Sequence, residues 1–106
     1  MGVSKKELFT SSQNNIAKLA KAIGHPARIA ILEHLIKKNA CVCGDLVDVL
    51  PLSQSTISQH LKELKNAGII HGNISGTSVC YCINAKVWQD AKVVLSDFFK
   101  DLNGCC

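Results

Sequence analysis

Six of the 106 residues are cysteines, and four of them stand as two Cys-X-Cys pairs, Cys41 with Cys43 and Cys80 with Cys82. In an extended segment alternate side chains share a face, so each pair presents two sulfurs together. Thiolates so placed are soft ligands: four suit a tetrahedral zinc ion, three a pyramidal trivalent arsenic, and two can oxidise to a disulfide or carry a persulfide. Cysteine is also a small hydrophobe that is often merely buried, but two such pairs are harder to assign to chance. The N-terminal residues lack the apolar stretch of a secretory signal, which points to a cytoplasmic protein whose reductants hold structural disulfides open. Metal capture or redox sensing is therefore the expected use of these thiols. The vicinal Cys105 and Cys106 are weaker candidates, being at a chain end. The histidines are not read as ligands: His25 reads as a cap before Pro26, and His34 and His71 lack partners at ligand spacing.

The element that most defines the chain lies at 50 to 70, LPLSQSTISQHLKELKNAGII. Ser53 can cap a helix by accepting a bond from a following amide, and Gly68 supplies the left-handed residue that ends it. Ile57, Leu61 and Leu64 form a stripe that must be buried, while Gln54, Ser55, Ser58, Gln59 and Lys62 look outward. Glutamine can bond adenine bidentately, serine reaches several base edges, and lysine reaches guanine or phosphate, none being bulky enough to hold the helix out of a major groove. The expected DNA contacts of this helix, 53 to 67, are Ser53, Gln54, Ser55, Thr56, Ser58, Gln59, His60, Lys62 and Lys65. An amphipathic helix carrying Ile16, Leu19, Ala20 and Ile23 after the polar run 11 to 15, then a scaffold helix from Pro26 to Lys38, lead up to it. A short alternating segment 40 to 43 and a short helix closed by Leu50 and Pro51 complete a helix-turn-helix.

From Ile69 the periodicity becomes alternating, and 69 to 83 reads as a hairpin turning at Ser75 and Gly76. Such a wing would offer Asn73, Ser75, Thr77 and Ser78 to phosphate or the minor groove. The last helix, 85 to 102, carries Val87, Trp88, Ala91, Val94, Leu95, Phe98, Phe99 and Leu102. That stripe is wider than one small core requires, so part of it is expected to meet a second copy of the chain. Two reading helices about a twofold axis would sit ~34 Å apart and select an inverted repeat in double-stranded operator DNA.

The fold class expected is thus mainly α with a small β-hairpin wing, a dimeric winged helix-turn-helix occupying 1 to 106 as one domain. The formal net charge of +4 favours an anionic partner, and no apolar run reaches the length of a bilayer span. No cysteine sits in a signature with His and acid partners and no phosphate-cradling glycine loop occurs, so an enzyme and an organic cofactor are not expected. A rival of another class is a small metal-buffering or redox protein without specific DNA binding.

The run LSQSTISQHLKEL, followed by AGII and a hairpin with a tyrosine in its return strand, closely resembles the ArsR/SmtB family of winged-helix repressors, as does IGHPARIAILEHL. The resemblance covers nearly the whole chain. It implies a homodimeric repressor released from its operator by an inducer, often a thiophilic metal ion or metalloid. One branch binds zinc through Asp and His on the last helix, yet 85 to 106 contains no histidine. Another senses arsenite or antimonite through Cys-Val-Cys, which Cys41, Val42 and Cys43 resemble, although Gly44 intervenes before Asp45 and Leu46, and the third cysteine is missing. Related winged helices place a short strand before the helix-turn-helix against the return strand of the wing. Carried over, this sets Val42 inward beside Tyr81 and gathers Cys41, Cys43, Cys80 and Cys82 on one face, with opposed Cβ atoms ~4.5 to 5.5 Å apart. The inducer expected is As(III) or Sb(III), or zinc or cadmium, with a reversible disulfide or persulfide switch as the alternative.

Overall fold

The computed structural model describes residues 5–43, 46–75, 78–102 and 104. After a short 3-10 turn at Lys5–Leu8 the helices are α1 (Ser11–Ile23), α2 (Pro26–Lys38), α3 (Leu46–Val49), α4 (Gln54–Asn66) and α5 (Ala85–Lys100). The strands are β1 (Val42–Cys43), β2 (Ile70–Ser75) and β3 (Ser78–Ile83).

The helix ends follow from local hydrogen bonding. Thr10 and Gln13 form a reciprocal capping box, Thr10 Oγ1 accepting the Gln13 amide at 3.1 Å and Gln13 Oε1 the Thr10 amide at 2.9 Å. This draws the polar run 11 to 15 into α1 as its first turns, where the sequence suggested a segment preceding the helix. His25 does cap α2, its Nδ1 accepting the Ala27 amide at 3.0 Å. Asn39 ends α2 in the left-handed region at φ 50° and donates its amide to the carbonyls of Leu35 and Ile36. Gly68, at φ 80°, closes α4 with a double bond pattern in which its own amide reaches Lys65 O and that of Ile69 reaches Leu64 O. The apolar contact that accompanies this motif is present as well, since Leu64 and Ile69 belong to one core cluster.

The sheet has strand order β1-β3-β2 and is antiparallel throughout. Ile70 faces Ile83 and Gly72 faces Tyr81 in the wing, while Val42 faces Tyr81 and Cys43 faces Cys80 across the β1 pairing. Ile31 and Leu35 of α2, Ile57 and Leu64 of α4, and Ile69 and Ile70 at the wing root are fully buried and join into a continuous core. The core thus lies beneath α4 and beside the wing root. Val42 is buried against it, as the inward-facing assignment required.

α5 is different. None of its residues is fully buried. Val87 and Trp88 pack on the core at its N-terminal end, whereas Val93, Phe98, Phe99 and the following Leu102 are exposed, with Phe99 at 70% and Leu102 at 78%. No helix among the described residues is long and apolar enough to cross a membrane.

Candidate nucleic-acid interface and cysteine site

α4 separates its two faces as the spacing demands. Ile57, Leu61 and Leu64 are buried, and Ser53, Gln54, Ser55, Ser58, Gln59, Lys62 and Lys65 are exposed. Ser53 accepts the Thr56 amide at 3.3 Å and donates to Thr56 Oγ1 at 3.0 Å, so Thr56 is half-buried within the cap and less open than its neighbours. Gln54 Nε2 donates to Ser58 Oγ and Gln59 Nε2 to Glu63 Oε1, each at 3.4 Å. These long bonds between residues one turn apart steady the amides along the exposed face without consuming their capacity for a base edge. Of the expected wing contacts, Asn73, Ser75 and Ser78 occupy positions on β2 and β3 beside the connection, and Thr77 lies outside the described residues.

His60 departs from the expected set of DNA contacts. It is 9% exposed and turned into the protein, where its Nδ1 accepts a bond from Arg28 Nε at 3.2 Å and its ring lies 4.3 Å from that of His25. The physical reason is helical phase: His60 lies next to Leu61, one turn beyond Ile57 and one before Leu64, on the anchored side. Arg28, the chain's only arginine, also donates through Nη1 to the carbonyls of Ala22 at 3.1 Å and Lys21 at 3.3 Å. Its cation thus satisfies the negative C-terminal end of α1 while holding the reading helix, from a seat on α2. Burial, and then the proximity of His25 and Arg28, hold the His60 pKa below its ordinary value, against an opposing pull from Glu63. A neutral His60 is what this bond needs, because Nδ1 can accept from the guanidinium only while unprotonated. Reasoning from sequence missed Arg28, which shares no local motif with a residue 32 positions away.

At the wing root the cysteines come together. The Cys41 and Cys82 sulfurs are joined as a disulfide, with Cα atoms 4.4 Å apart. That separation fits the closer, non-hydrogen-bonded kind of antiparallel pair, where side chains approach most nearly. Two residues further along, Cys43 stands opposite Cys80, and Cys80 is also in the disulfide form. Cys41 is an exposed residue, whereas Cys80 and Cys82 are buried. Cys105 and Cys106 lie outside the described residues. Among the described residues no group of three or more His, Cys, Asp and Glu is disposed to hold a metal ion. While Cys41 and Cys82 are bonded to one another they offer no thiolate. The donor set fits a soft ion only after reduction.

Residues 25–71 match the family described as bacterial regulatory protein, arsR family. Over 64 residues the chain is 45% identical to the HTH-type transcriptional repressor SmtB of Mycobacterium tuberculosis, covering 60% of this chain and 47% of that one, so it spans about half the length of that relative. It is 39% identical over 80 residues to the uncharacterized HTH-type transcriptional regulator MJ1325 of Methanocaldococcus jannaschii, covering 74% of this chain and 89% of the other. The crystal structure of M. tuberculosis Rv0081 superposes with a TM-score of 0.64 at 31% identity, covering 88% of this chain and 97% of that one. The named relatives are regulators of transcription rather than enzymes. With the exposed face of α4, the hairpin beside it and the matched segment 25–71 in agreement, the chain belongs to the ArsR family of winged helix-turn-helix regulatory proteins.

Proposed function

We propose that this chain is a cytoplasmic, homodimeric transcriptional repressor that binds inverted-repeat operator DNA and releases it when sulfur chemistry changes at the root of its wing. The observation that carries the proposal is the Cys41–Cys82 bond, which ties the short connection between α2 and β1 to the return strand of the hairpin. α2 also bears Arg28, the holder of His60 on the reading helix. A pull at Cys41 is therefore delivered to an element already clamped to α4. Two reading helices must keep their mutual spacing to enter successive major grooves, so a small tilt of each costs operator affinity without unfolding either protomer. In this reading Gln54, Ser55, Ser58 and Gln59 meet base edges, Ser53, Lys62 and Lys65 meet phosphate or guanine, and Asn73, Ser75, Thr77 and Ser78 meet the backbone beside them. The exposed Phe98, Phe99 and Leu102 of the α5 end cover one another across the twofold axis. The reduced thiols define the DNA-bound state and the bonded pair the released one.

A second reading has its own support in the register, which sets Cys43 opposite Cys80 one rung pair from Cys41 and Cys82. Reduced, Cys41, Cys43, Cys80 and Cys82 make a soft donor set, three of which suit arsenite or antimonite and four of which suit zinc or cadmium, with Cys105 and Cys106 as the weaker, additional donors. Bound there, such an ion would supply a cross-strand link between the same two strands that the disulfide joins.

Fluorescence anisotropy of a labelled promoter fragment tests both. Reduced protein is expected to bind in preference to random DNA, and oxidation by diamide to weaken binding by roughly 5- to 150-fold, the usual size of coupling between sites. Arsenite releasing the protein with no loss of titratable thiols on subsequent stripping of the ion would favour the second reading. A Cys41→Ser, Cys82→Ser variant that is still released normally by both agents refutes thiol control, and equal binding to random DNA at physiological salt refutes specific DNA recognition.

A further inference from the structure

A groove of about 520 Å³ runs along the Cys41–Cys82 bond, walled by Leu35 and Ile36 of α2, Ile83 of β3 and Trp88 of α5, with Asn39 and Gln89 completing its lining. Its volume falls within the range of small-molecule sites, and its make-up is theirs too: apolar walls with a few polar groups. A thiol pair that answered only to water-soluble oxidants would need no such surface beside it. We infer that the groove admits the carbon skeleton of an organic hydroperoxide, an alkyl or aryl group bearing O–OH, and thereby makes this chain's thiols respond to apolar peroxides in preference to hydrogen peroxide. The inference rests on the oxidative form of the function proposed above.

The product state selects this class of ligand. Joining the pair removes two electrons and two protons, so the agent that makes the bond is an oxidant. The exposure of the two partners assigns the order of events. Cys41 is exposed and meets the ligand first; Cys82 is buried directly opposite and resolves. The Cys41 thiolate attacks the terminal peroxide oxygen, the O–O bond breaks, and the leaving alkoxide takes a proton to depart as the alcohol, leaving Cys41 as a sulfenic acid. The Cys82 thiol then displaces hydroxide from that sulfur, its own proton completing a water molecule. The sum is two thiols and one hydroperoxide giving one disulfide, one alcohol and one water. The side-chain amides of Asn39 and Gln89 supply hydrogen-bond donors for the peroxide oxygens, and the apolar walls take the organic group out of water.

The test uses the full chain, reduced and freed of reductant, mixed with cumene hydroperoxide or with hydrogen peroxide, the Cys41–Cys82 linkage being followed by quenched peptide mass mapping. Rates are compared with those of free cysteine and the same two oxidants. Burial of a few carbon groups of the organic peroxide predicts an advantage for cumene hydroperoxide of about tenfold or more over that benchmark. Ile36→Glu, a change at a half-exposed residue of the groove wall, should abolish the advantage, read as the ratio of the cumene hydroperoxide rate to the hydrogen peroxide rate within the same variant. A parent protein with no advantage over the benchmark, or an Ile36→Glu variant that retains it, overturns the inference while leaving redox control standing. If neither oxidant forms the Cys41–Cys82 linkage, both this inference and redox control are overturned.

Discussion

Replacing Arg28 with methionine should loosen the reading helix from its scaffold, and the size of the effect can be worked from its partners. The side chain donates to His60 Nδ1, to Ala22 O and, more weakly at 3.3 Å, to Lys21 O. A hydrogen bond from a charged group contributes about 1.5 to 3 kcal/mol where it is sheltered, but the Lys21 contact is exposed and shares its nitrogen with the Ala22 contact. Methionine keeps most of the apolar stem, so packing loss is small, and the chief cost is a buried imidazole nitrogen left without a donor. Together these give about 2 to 3 kcal/mol. In urea the midpoint of unfolding should fall with its slope unchanged, and a thermal midpoint should drop by roughly 8 to 20 °C for a chain near 100 residues. The double variant Arg28→Met, His60→Phe, which removes both partners, should recover part of the loss, because no buried polar atom is then stranded. A loss below about 0.5 kcal/mol for Arg28→Met, the range of ordinary surface changes, would refute the claim that this arginine clamps α1, α2 and α4 together.

Four further outcomes are expected. Because the folded state depresses the His60 pKa, stability contributed by the neutral ring is complete above the unfolded value of ~6.5 and is lost as pH falls below it through the folded value; His60→Phe should flatten that acid limb in urea titrations at stepped pH. Gln54→Ala or Gln59→Ala should cost about 1 to 3 kcal/mol at the operator and relax base preference, whereas Lys62→Ala should mainly reduce the salt slope by about one; equal losses on every sequence for the glutamine changes would contradict base reading. Gly68→Ala, forcing a Cβ onto φ 80°, should destabilise the fold by about 1 to 2 kcal/mol in the same urea assay. Phe98→Asp with Phe99→Asp should yield monomer by sedimentation while far-ultraviolet dichroism stays native, since both rings are already exposed in the single chain.

How far such features can be read from sequence depended on their range along the chain. The limits of α4 were legible because its signals are local: a serine at the cap, three apolar residues one turn apart, and a glycine where a left-handed residue was needed. α2 was equally legible from His25, Pro26 and its terminal lysines. The start of α1 was not, because serine, glutamine and asparagine in succession resemble a loop until Thr10 and Gln13 are seen to cap one another. The alternation of Cys80 and Cys82 was visible in a strand, but the apposition of β1 to β3 came from resemblance to related proteins and not from any property of Cys41 itself. His60 was assigned to the wrong side of the helix. Its polarity argued for the groove, and the guanidinium that makes its burial tolerable approaches from another helix.

β1 is two residues long. A strand so brief supplies few amide contacts of its own, and the corner it forms between the end of α2 and the hairpin would fray readily if hydrogen bonds were all that fastened it. Under the redox control proposed above, the covalent link beside it would change the character of that corner: stiffness there would become a variable set by the surrounding electron supply, with the polypeptide merely furnishing the fastening points. Amide protons of Cys82 and Ile83 should accordingly exchange at rates that track the thiol state of the solution, an internal gauge of how tightly the hairpin is moored at any moment.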